Sequence, residues 1–149
     1  MSASCFRVVR LAILGGAVLG CSGARPRDLR LIDGRLRPCP ETPNCVSSEA
    51  GTPEAKLVAP FPAPGGHADL TRLAGVVSAW PRTVIITNDG GYMHAESTSL
   101  IWRFVDDLEF RFDSVASVIQ VRSASRLGRS DLGVNRKRVE GLRAKWTTK

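Results

Sequence analysis

The residues best suited to chemistry lie in one stretch, Gln120–Arg138, where a strand-like run, a glycine-containing turn and a helix start follow one another. Arg122, Arg126 and Arg136 lie in it, and each guanidinium group can bind a carboxylate or a phosphate through paired hydrogen bonds. The unpaired amides at a helix N-terminus attract the same anions. This combination indicates an anion-binding site at the final turn and helix start.

Internal pairing is the alternative interpretation of the same residues. Acidic side chains occur on the neighbouring predicted strands, and ion-pair networks inside small domains resemble functional sites. Both interpretations use the same polar residues: Arg122, Ser123, Ser125, Arg126, Asp131, Asn135, Arg136, His94, Glu96, Asp106, Asp107 and Glu109. The whole set is therefore a candidate for either an anion-binding site or a polar network.

A hydrolase is the second functional class to consider. His94 with Ser123 or Ser125, and with Asp106 or Asp107, supplies the residue types of a catalytic triad. These types alone are weak support because geometry defines a triad, and the chain has no Gly-x-Ser-x-Gly nucleophile elbow. No complete cofactor motif occurs either. We expect a non-enzymatic binding module without a cofactor, and the hydrolase is the alternative function.

A metal site is a further alternative for the acidic residues. Glu96, Asp106, Asp107 and Glu109 could bind a hard cation such as calcium through carboxylate oxygens. Several arginines occur close to them in the sequence and would compete for the same oxygens. We therefore predict no metal site.

The first 20 residues have the pattern of a bacterial export signal. Arg7 and Arg10 form a positively charged region before the apolar run Leu11–Leu19, which is too short to span a bilayer. The run ends in Val18-Leu19-Gly20-Cys21, which resembles the lipobox of bacterial lipoproteins. The resemblance implies that residues 1–20 are a lipoprotein signal peptide, and that lipidated Cys21 anchors the protein in the cell envelope, facing the periplasm. An ordinary secretory signal is the alternative.

The charge balance bears on the class of partner. The chain has 21 Lys and Arg residues against 14 Asp and Glu residues, and removing residues 1–20 would leave 19 against 14. Such a mild excess, spread along the chain, does not favour nucleic acid. The expected partners are membrane lipid, through the acylated Cys21, and an anionic small molecule, a lipid headgroup or an envelope protein.

Cys39 and Cys45 lie close together in the segment CPETPNC. In the oxidising periplasm, two thiols at this spacing most simply form a disulfide bond that closes a small loop. A metal site is the alternative, but it needs four ligands, and only His67 and His94 could complete the set. Their spacing does not support such a site.

Apolar periodicity predicts the architecture. The predicted helices are Asp69–Trp80 and, approximately, Leu132–Trp146, the second with Ser130 or Asp131 as N-cap; the predicted strands are Thr83–Thr87, Tyr92–Thr98, Asp107–Asp113 and Val118–Ser125, with Leu57–Phe61 as an edge strand. This order predicts an α+β fold, an antiparallel sheet of about four to five strands with two helices packed on one face. Residues 21–37 are predicted to be a flexible tether, and residues 38–149 a single α+β domain.

Four motifs resemble those of a known family. They are Cys39-Pro40-Glu41-Thr42-Pro43-Asn44-Cys45-Val46-Ser47-Ser48, Tyr92-Met93-His94-Ala95-Glu96, Phe104-Val105-Asp106-Asp107-Leu108-Glu109-Phe110, and Val121–Arg126 with Asp131–Arg138. In this order they resemble the domain-of-unknown-function family 1499, over roughly Pro38–Trp146. The family carries no assigned activity, so the resemblance implies a domain and no catalytic residue.

Overall fold

The fold is a single antiparallel sheet with two helices, seen in a computed structural model that describes residues 23–147. The predicted signal peptide and Cys21 lie outside the described residues. In chain order the elements are β1 (Cys45–Ser47), a 3-10 turn (Glu54–Lys56), β2 (Phe61–Pro62), α1 (His67–Ser78), β3 (Thr83–Asp89), β4 (Tyr92–Thr98), β5 (Val105–Asp113), β6 (Val118–Ser125) and α2 (Val134–Thr147). The predicted α+β class is confirmed. Neither described helix is long and apolar enough to cross a membrane.

The sheet has the strand order β1-β6-β5-β4-β3, and β2 pairs with the same edge of β6 as β1 does, nearer to the start of β6. The four long strands occupy the predicted positions. The predicted edge strand Leu57–Phe61 is displaced: β2 begins only at Phe61, and Leu57 makes an isolated bridge to Ser47. The prolines around β2 limit the hydrogen bonds that this segment can donate, which keeps it short.

One face of the sheet forms the hydrophobic core with both helices. On β5, Leu108 and Phe110 are fully buried, and on β6 so are Ile119 and Val121. The core cluster contains Leu73 and Val77 from α1 and Val139, Leu142 and Trp146 from α2. Because side chains alternate along a strand, the residues between these positions lie on the opposite face of the sheet.

Helix α2 begins two residues later than the sequence predicts. Leu132 and Gly133 have φ values of 53° and 79°, in the left-handed region, so neither can belong to the right-handed helix. Leu132, the first residue of the predicted helix, is 87% exposed and does not join the apolar face of the helix. Of the two predicted N-cap candidates, Asp131 caps the helix, since its carboxylate accepts hydrogen bonds from the amides of Gly133 and Asn135, at 3.0 and 2.8 Å.

The opposite face of the sheet is covered by residues 23–37, which fall in the segment predicted to be a tether. Arg25 donates to Glu96 at 2.6 Å, the Arg30 amide donates to Glu109 at 3.3 Å, and the Leu36 amide donates to Glu49 at 3.0 Å. Leu36 itself is buried. The charged face of the sheet is therefore largely enclosed between the strands and this segment.

Candidate functional site

The polar face of the sheet is built by strand register. His94 on β4 lies opposite Glu109 on β5, which lies opposite Arg122 on β6, so these three side chains form one row across the sheet. Glu96 and Asp107 belong to the next row on the same face. Sequence alternation predicts this grouping, because in each strand these residues alternate with the core residues.

Arg126 holds the first cluster of this face. It donates from Nε to Asp107 Oδ2 at 2.9 Å and from Nη2 to Asp107 Oδ1 at 2.7 Å, and it also donates to Glu96. His94 Nε2 lies 2.8 Å from Asp107 Oδ1 and donates to this carboxylate. Burial alone would raise the pKa of Asp107, but hydrogen bonds from Arg126 and His94 outweigh it and hold the pKa below its usual value. Asp107 is therefore ionised and occupied on both oxygens.

Glu109 holds the second cluster and is fully buried. It accepts hydrogen bonds from Tyr92 Oη at 2.8 Å and from Arg122 Nη1 at 3.0 Å. Burial raises the pKa of Tyr92, and the charge of Glu109 raises it further, so the phenol stays protonated and donates. For Arg122, burial lowers the pKa, Glu109 opposes that effect, and the like charge of Arg37 lowers the pKa again.

A cleft of about 390 Å³ opens between this face, the segment 23–37 and the disulfide loop. We call it the arginine cleft; it is lined by Pro26, Arg37, Pro38, Cys39, Pro40, Asp107, Arg122, Ala124, Ser125 and Arg126. Two of its arginines have an unpartnered donor: among the described residues, the Nε atoms of Arg37 and Arg122 are the buried side-chain polar atoms without a hydrogen bond. The cleft is therefore lined by three arginines, two of which have a buried donor without a partner.

The remaining polar candidates lie on the core side of the sheet. Asn135 is fully buried, and its side chain accepts from Ser123 and from Arg138, and donates to Ser125 Oγ at 3.0 Å. Its amide also donates to the Asn44 carbonyl at 3.2 Å. Arg138 in turn pairs with Asp106. Every hydrogen-bonding group of Asn135 is satisfied within the protein, so this cluster joins α2 to the sheet.

Arg136 does not join the other arginines. It donates to the carbonyls of Leu57 and Ala55, at 2.9 and 2.8 Å, and so fixes the 3-10 turn to α2. The three arginines predicted to form one site therefore do not lie together. The third arginine that lines the cleft, beside Arg122 and Arg126, is Arg37. Arg37 is not among the predicted site residues because it falls in the predicted tether. Arg138 is not among them either, although its spacing of three residues from Asn135 on one helix indicates that the two can interact.

The pair required by the hydrolase alternative is not assembled. Ser123 lies in the row of Ala95 and Leu108, on the core side, whereas His94 lies in the row of Glu109, on the polar side. The sheet separates the two side chains. Ser125 Oγ accepts from Asn135, also within the core-side cluster.

The histidine and carboxylates of the polar face also have the composition of a cation site. Potential ligand atoms of His94, Glu96 and Asp107 all lie within 4.8 Å of one another. Arg126 donates to both carboxylates, so its guanidinium group already neutralises the charge that a cation would. The cluster therefore serves as a binding site for Arg126.

Cys39 and Cys45 form the predicted disulfide bond, with their Cα atoms 5.6 Å apart. This pairing rules out the metal site considered for these cysteines, because a bonded sulfur is not a thiolate ligand. The bond fixes Cys39, a wall of the arginine cleft, to Cys45 at the start of β1.

Most of the chain matches the model of a known protein family. A family model described as a protein of unknown function (DUF1499) matches residues 35–146, which include every strand and nearly all of α2. The chain belongs to this family. Membership in DUF1499 confirms the resemblance carried by the four motifs, and it assigns no activity. Neither the curated proteins nor the solved structures include a significant match to the chain.

Proposed function

We propose that this protein is a lipid-anchored protein of the bacterial envelope whose domain binds a small anion, a carboxylate or a phosphate, in the arginine cleft. The sequence pattern ending in Cys21 supports the anchor. The chemistry of the cleft supports the binding role. No assembled set of catalytic residues occurs on the described polar face, so the domain is proposed to bind its ligand and not to transform it.

The unpartnered donors of Arg37 and Arg122 carry this proposal. A buried polar group without a hydrogen bond costs roughly 1–3 kcal/mol, and more when it is charged. Natural domains satisfy nearly all such groups. Both arginines line the same cleft, and a ligand bound there that accepts from their guanidinium groups would account for the two donors.

Charge supports the same conclusion. Burial lowers the pKa of Arg122, Glu109 opposes this effect, and the like charge of Arg37 lowers the pKa further. A bound anion would offset both effects. Arg122 donates from Nη1 to Glu109, and Arg37 donates from Nη1 to Asp28. A guanidinium group has five N–H donors. Donors therefore remain for a ligand.

Phosphate binding by purified protein tests the binding role. We expect inorganic phosphate to raise the unfolding temperature, because a ligand that binds only the native state stabilises it by mass action. Arg37→Met should weaken phosphate binding by about tenfold or more, the equivalent of one charge-assisted hydrogen bond. Arg27→Met is the matched control: it removes an equal charge from the same segment, at an exposed residue outside the lining of the cleft.

Two results would refute the binding role. One is the absence of any phosphate-dependent shift, together with native mass spectra that show no ligand carried by protein extracted from membranes. The other is an equal loss of affinity in Arg37→Met and Arg27→Met, which would indicate attraction by net charge alone. The anchor is tested separately: we expect Cys21→Ala to release the protein from the membrane fraction, and retention there would refute lipidation.

A further inference from the structure

The loop between β4 and β5 exposes an apolar cluster that the arginine cleft does not involve. Leu100, Ile101 and Trp102 are 69, 75 and 70% exposed, and Phe104 is 40% exposed. Single exposed apolar residues are ordinary, but a contiguous group of large ones marks an interaction surface. Four such residues within five positions form a group of this kind.

The backbone of this loop keeps these side chains away from the core. The Ser99 amide donates to the Phe104 carbonyl at 2.8 Å, and the Phe104 amide donates to Ser99 Oγ at 2.9 Å. Arg103 adopts a φ of 57°, in the left-handed region that non-glycine residues rarely occupy. The base of the loop is thus closed by hydrogen bonds, and its apolar tip stays in solvent.

Other exposed apolar side chains lie at the same end of the sheet. Asp106 at the start of β5 pairs with Ser125 at the end of β6, so the β6–α2 connection is adjacent to the β4–β5 loop. This connection and the start of α2 contribute Leu127, Leu132 and Val134, which are 43, 87 and 45% exposed. Val134 and Leu100 line a common cleft. The loop tip and these residues form what we call the apolar end of the domain.

The described chain also begins at the apolar end. A Cβ atom built on Gly23 would lie 3.0 Å from the Leu127 side chain, so Gly23 is in contact with Leu127. Cys21 precedes Gly23 by two residues, which span at most about 7 Å of chain. A lipid attached to Cys21 would therefore enter the membrane beside the apolar end. The β5–β6 turn, with exposed Val115, lies at the opposite end of the sheet.

Basic residues surround the apolar end. Arg82, Arg103, Arg129 and Lys137 are all exposed there. Arg82 donates to the Thr98 carbonyl at the end of β4, and Arg103 belongs to the loop itself. Lys137 lines the cleft that Leu100 and Val134 share. Tryptophan and arginine together are typical of the membrane interface, where the ring lies among headgroups and the cation binds anionic lipid.

We infer that the apolar end of the domain is a membrane-docking surface, whose β4–β5 loop inserts Leu100, Ile101 and Trp102 into an anionic lipid bilayer beside the Cys21 anchor. The inference rests on the proposed anchor for its orientation, and on the loop itself for its contact with lipid. Docking fixes the domain against the bilayer, whereas an anchor alone would leave it free to rotate.

Environment-sensitive fluorescent labels at two single cysteines test this surface. Ile101→Cys places the label on the loop tip, and Val115→Cys is the matched control at the opposite end of the sheet. Cys39 and Cys45 are bonded to each other and do not react, and the unsubstituted protein gives the background from any free Cys21. The processed protein is purified from membranes and reconstituted into vesicles of phosphatidylethanolamine and phosphatidylglycerol.

We expect the label at position 101 to shift its emission to the blue and to be quenched by lipid-attached nitroxide, while the label at position 115 is quenched by iodide in the water. Equal quenching of both labels by iodide would overturn the inference. Shielding of position 101 from both quenchers would also overturn it, because it would indicate a protein partner on this surface.

Failure of the anchor gives a different result. If the processed protein does not cofractionate with membranes, the lipid anchor is refuted, and the same labelled protein is then mixed with added vesicles. A blue shift at position 101 on phosphatidylglycerol vesicles would support docking independently of the anchor. No shift there would overturn docking as well.

Discussion

Replacing Arg126 with Met would leave the buried carboxylate of Asp107 with His94 as its remaining side-chain partner. The Arg126 and Asp107 side chains are only 5 and 3% exposed, so little solvent screens this pair in the folded protein. Removing one partner of such a buried pair costs about 3–5 kcal/mol. Met replaces the aliphatic part of the Arg side chain, so the loss should mainly report the charge and its hydrogen bonds. We expect a decrease of this size in the free energy of unfolding at pH 7.

The control is Arg30→Met, which removes a pair with Asp89 whose side chains are 66 and 52% exposed. Exposed pairs contribute about 0–1 kcal/mol because solvent screens them. Both variants lose one positive charge, so the difference between them isolates the effect of burial. Equilibrium unfolding in urea, followed by tryptophan fluorescence with the disulfide bond intact, gives both values.

The pH dependence gives a second signature. In the native protein the pKa of Asp107 lies below its unfolded value of about 3.9, so its stabilisation is complete above that pH and is lost as the pH falls through the folded pKa. Without Arg126, burial dominates and the pKa of Asp107 should rise above the unfolded value. The penalty in the variant is then largest at neutral pH and decreases as Asp107 binds a proton.

The stability difference between the native protein and Arg126→Met should therefore narrow between about pH 7 and pH 4. Equal losses in Arg126→Met and Arg30→Met would refute the claim that Arg126 compensates a buried charge. A difference that stays constant down to pH 4 would refute the assignment of that charge to Asp107.

Two further predictions concern packing and covalent structure. Gly141→Ala should lower the free energy of unfolding by about 1–3 kcal/mol, because its Cβ would overlap the Trp80 ring. Gly75→Ala, with open space around it in α1, should raise the free energy of unfolding by roughly 0.5–1 kcal/mol. Unfolding in urea should therefore show changes of opposite sign for the two variants. Reduction of the Cys39–Cys45 bond should cost about 2 kcal/mol, as expected for a short loop, and should also weaken phosphate binding because Cys39 lines the arginine cleft. Reduction that leaves phosphate affinity unchanged would contradict a role for this loop in the cleft.

The sheet could be predicted because its strands carry their own pattern. On β5 the alternation of Leu108 and Phe110 with Asp107 and Glu109 specifies both the strand and the two faces. The same alternation places His94 beside these carboxylates on β4. Local periodicity was sufficient here because each strand buries one face against the helices.

The cleft and its cover could not be predicted, since they depend on contacts between distant residues. Arg25 reaches Glu96 and Arg30 reaches Glu109 across more than 70 positions of sequence. The segment that carries these arginines is rich in arginine and contains a proline and two glycines, so its composition is typical of a linker. Arg37 belongs to the same segment, so the sequence favours Arg136, which is closer to Arg122 and Arg126 in the chain, as the third arginine of the site.

The basic segment and the acidic strands are complementary parts of one structure. Both helices cover the same face of the sheet, so the other face needs a cover, and the chain supplies an arginine-rich one. Arg25 forms an ion pair with Glu96, and Arg35 forms one with Glu49. Most of the polar residues that resemble a site in the sequence are explained by this complementarity. What it leaves unexplained is the pair of free donors on Arg37 and Arg122, and their position in one cleft is the reason to look for a ligand there.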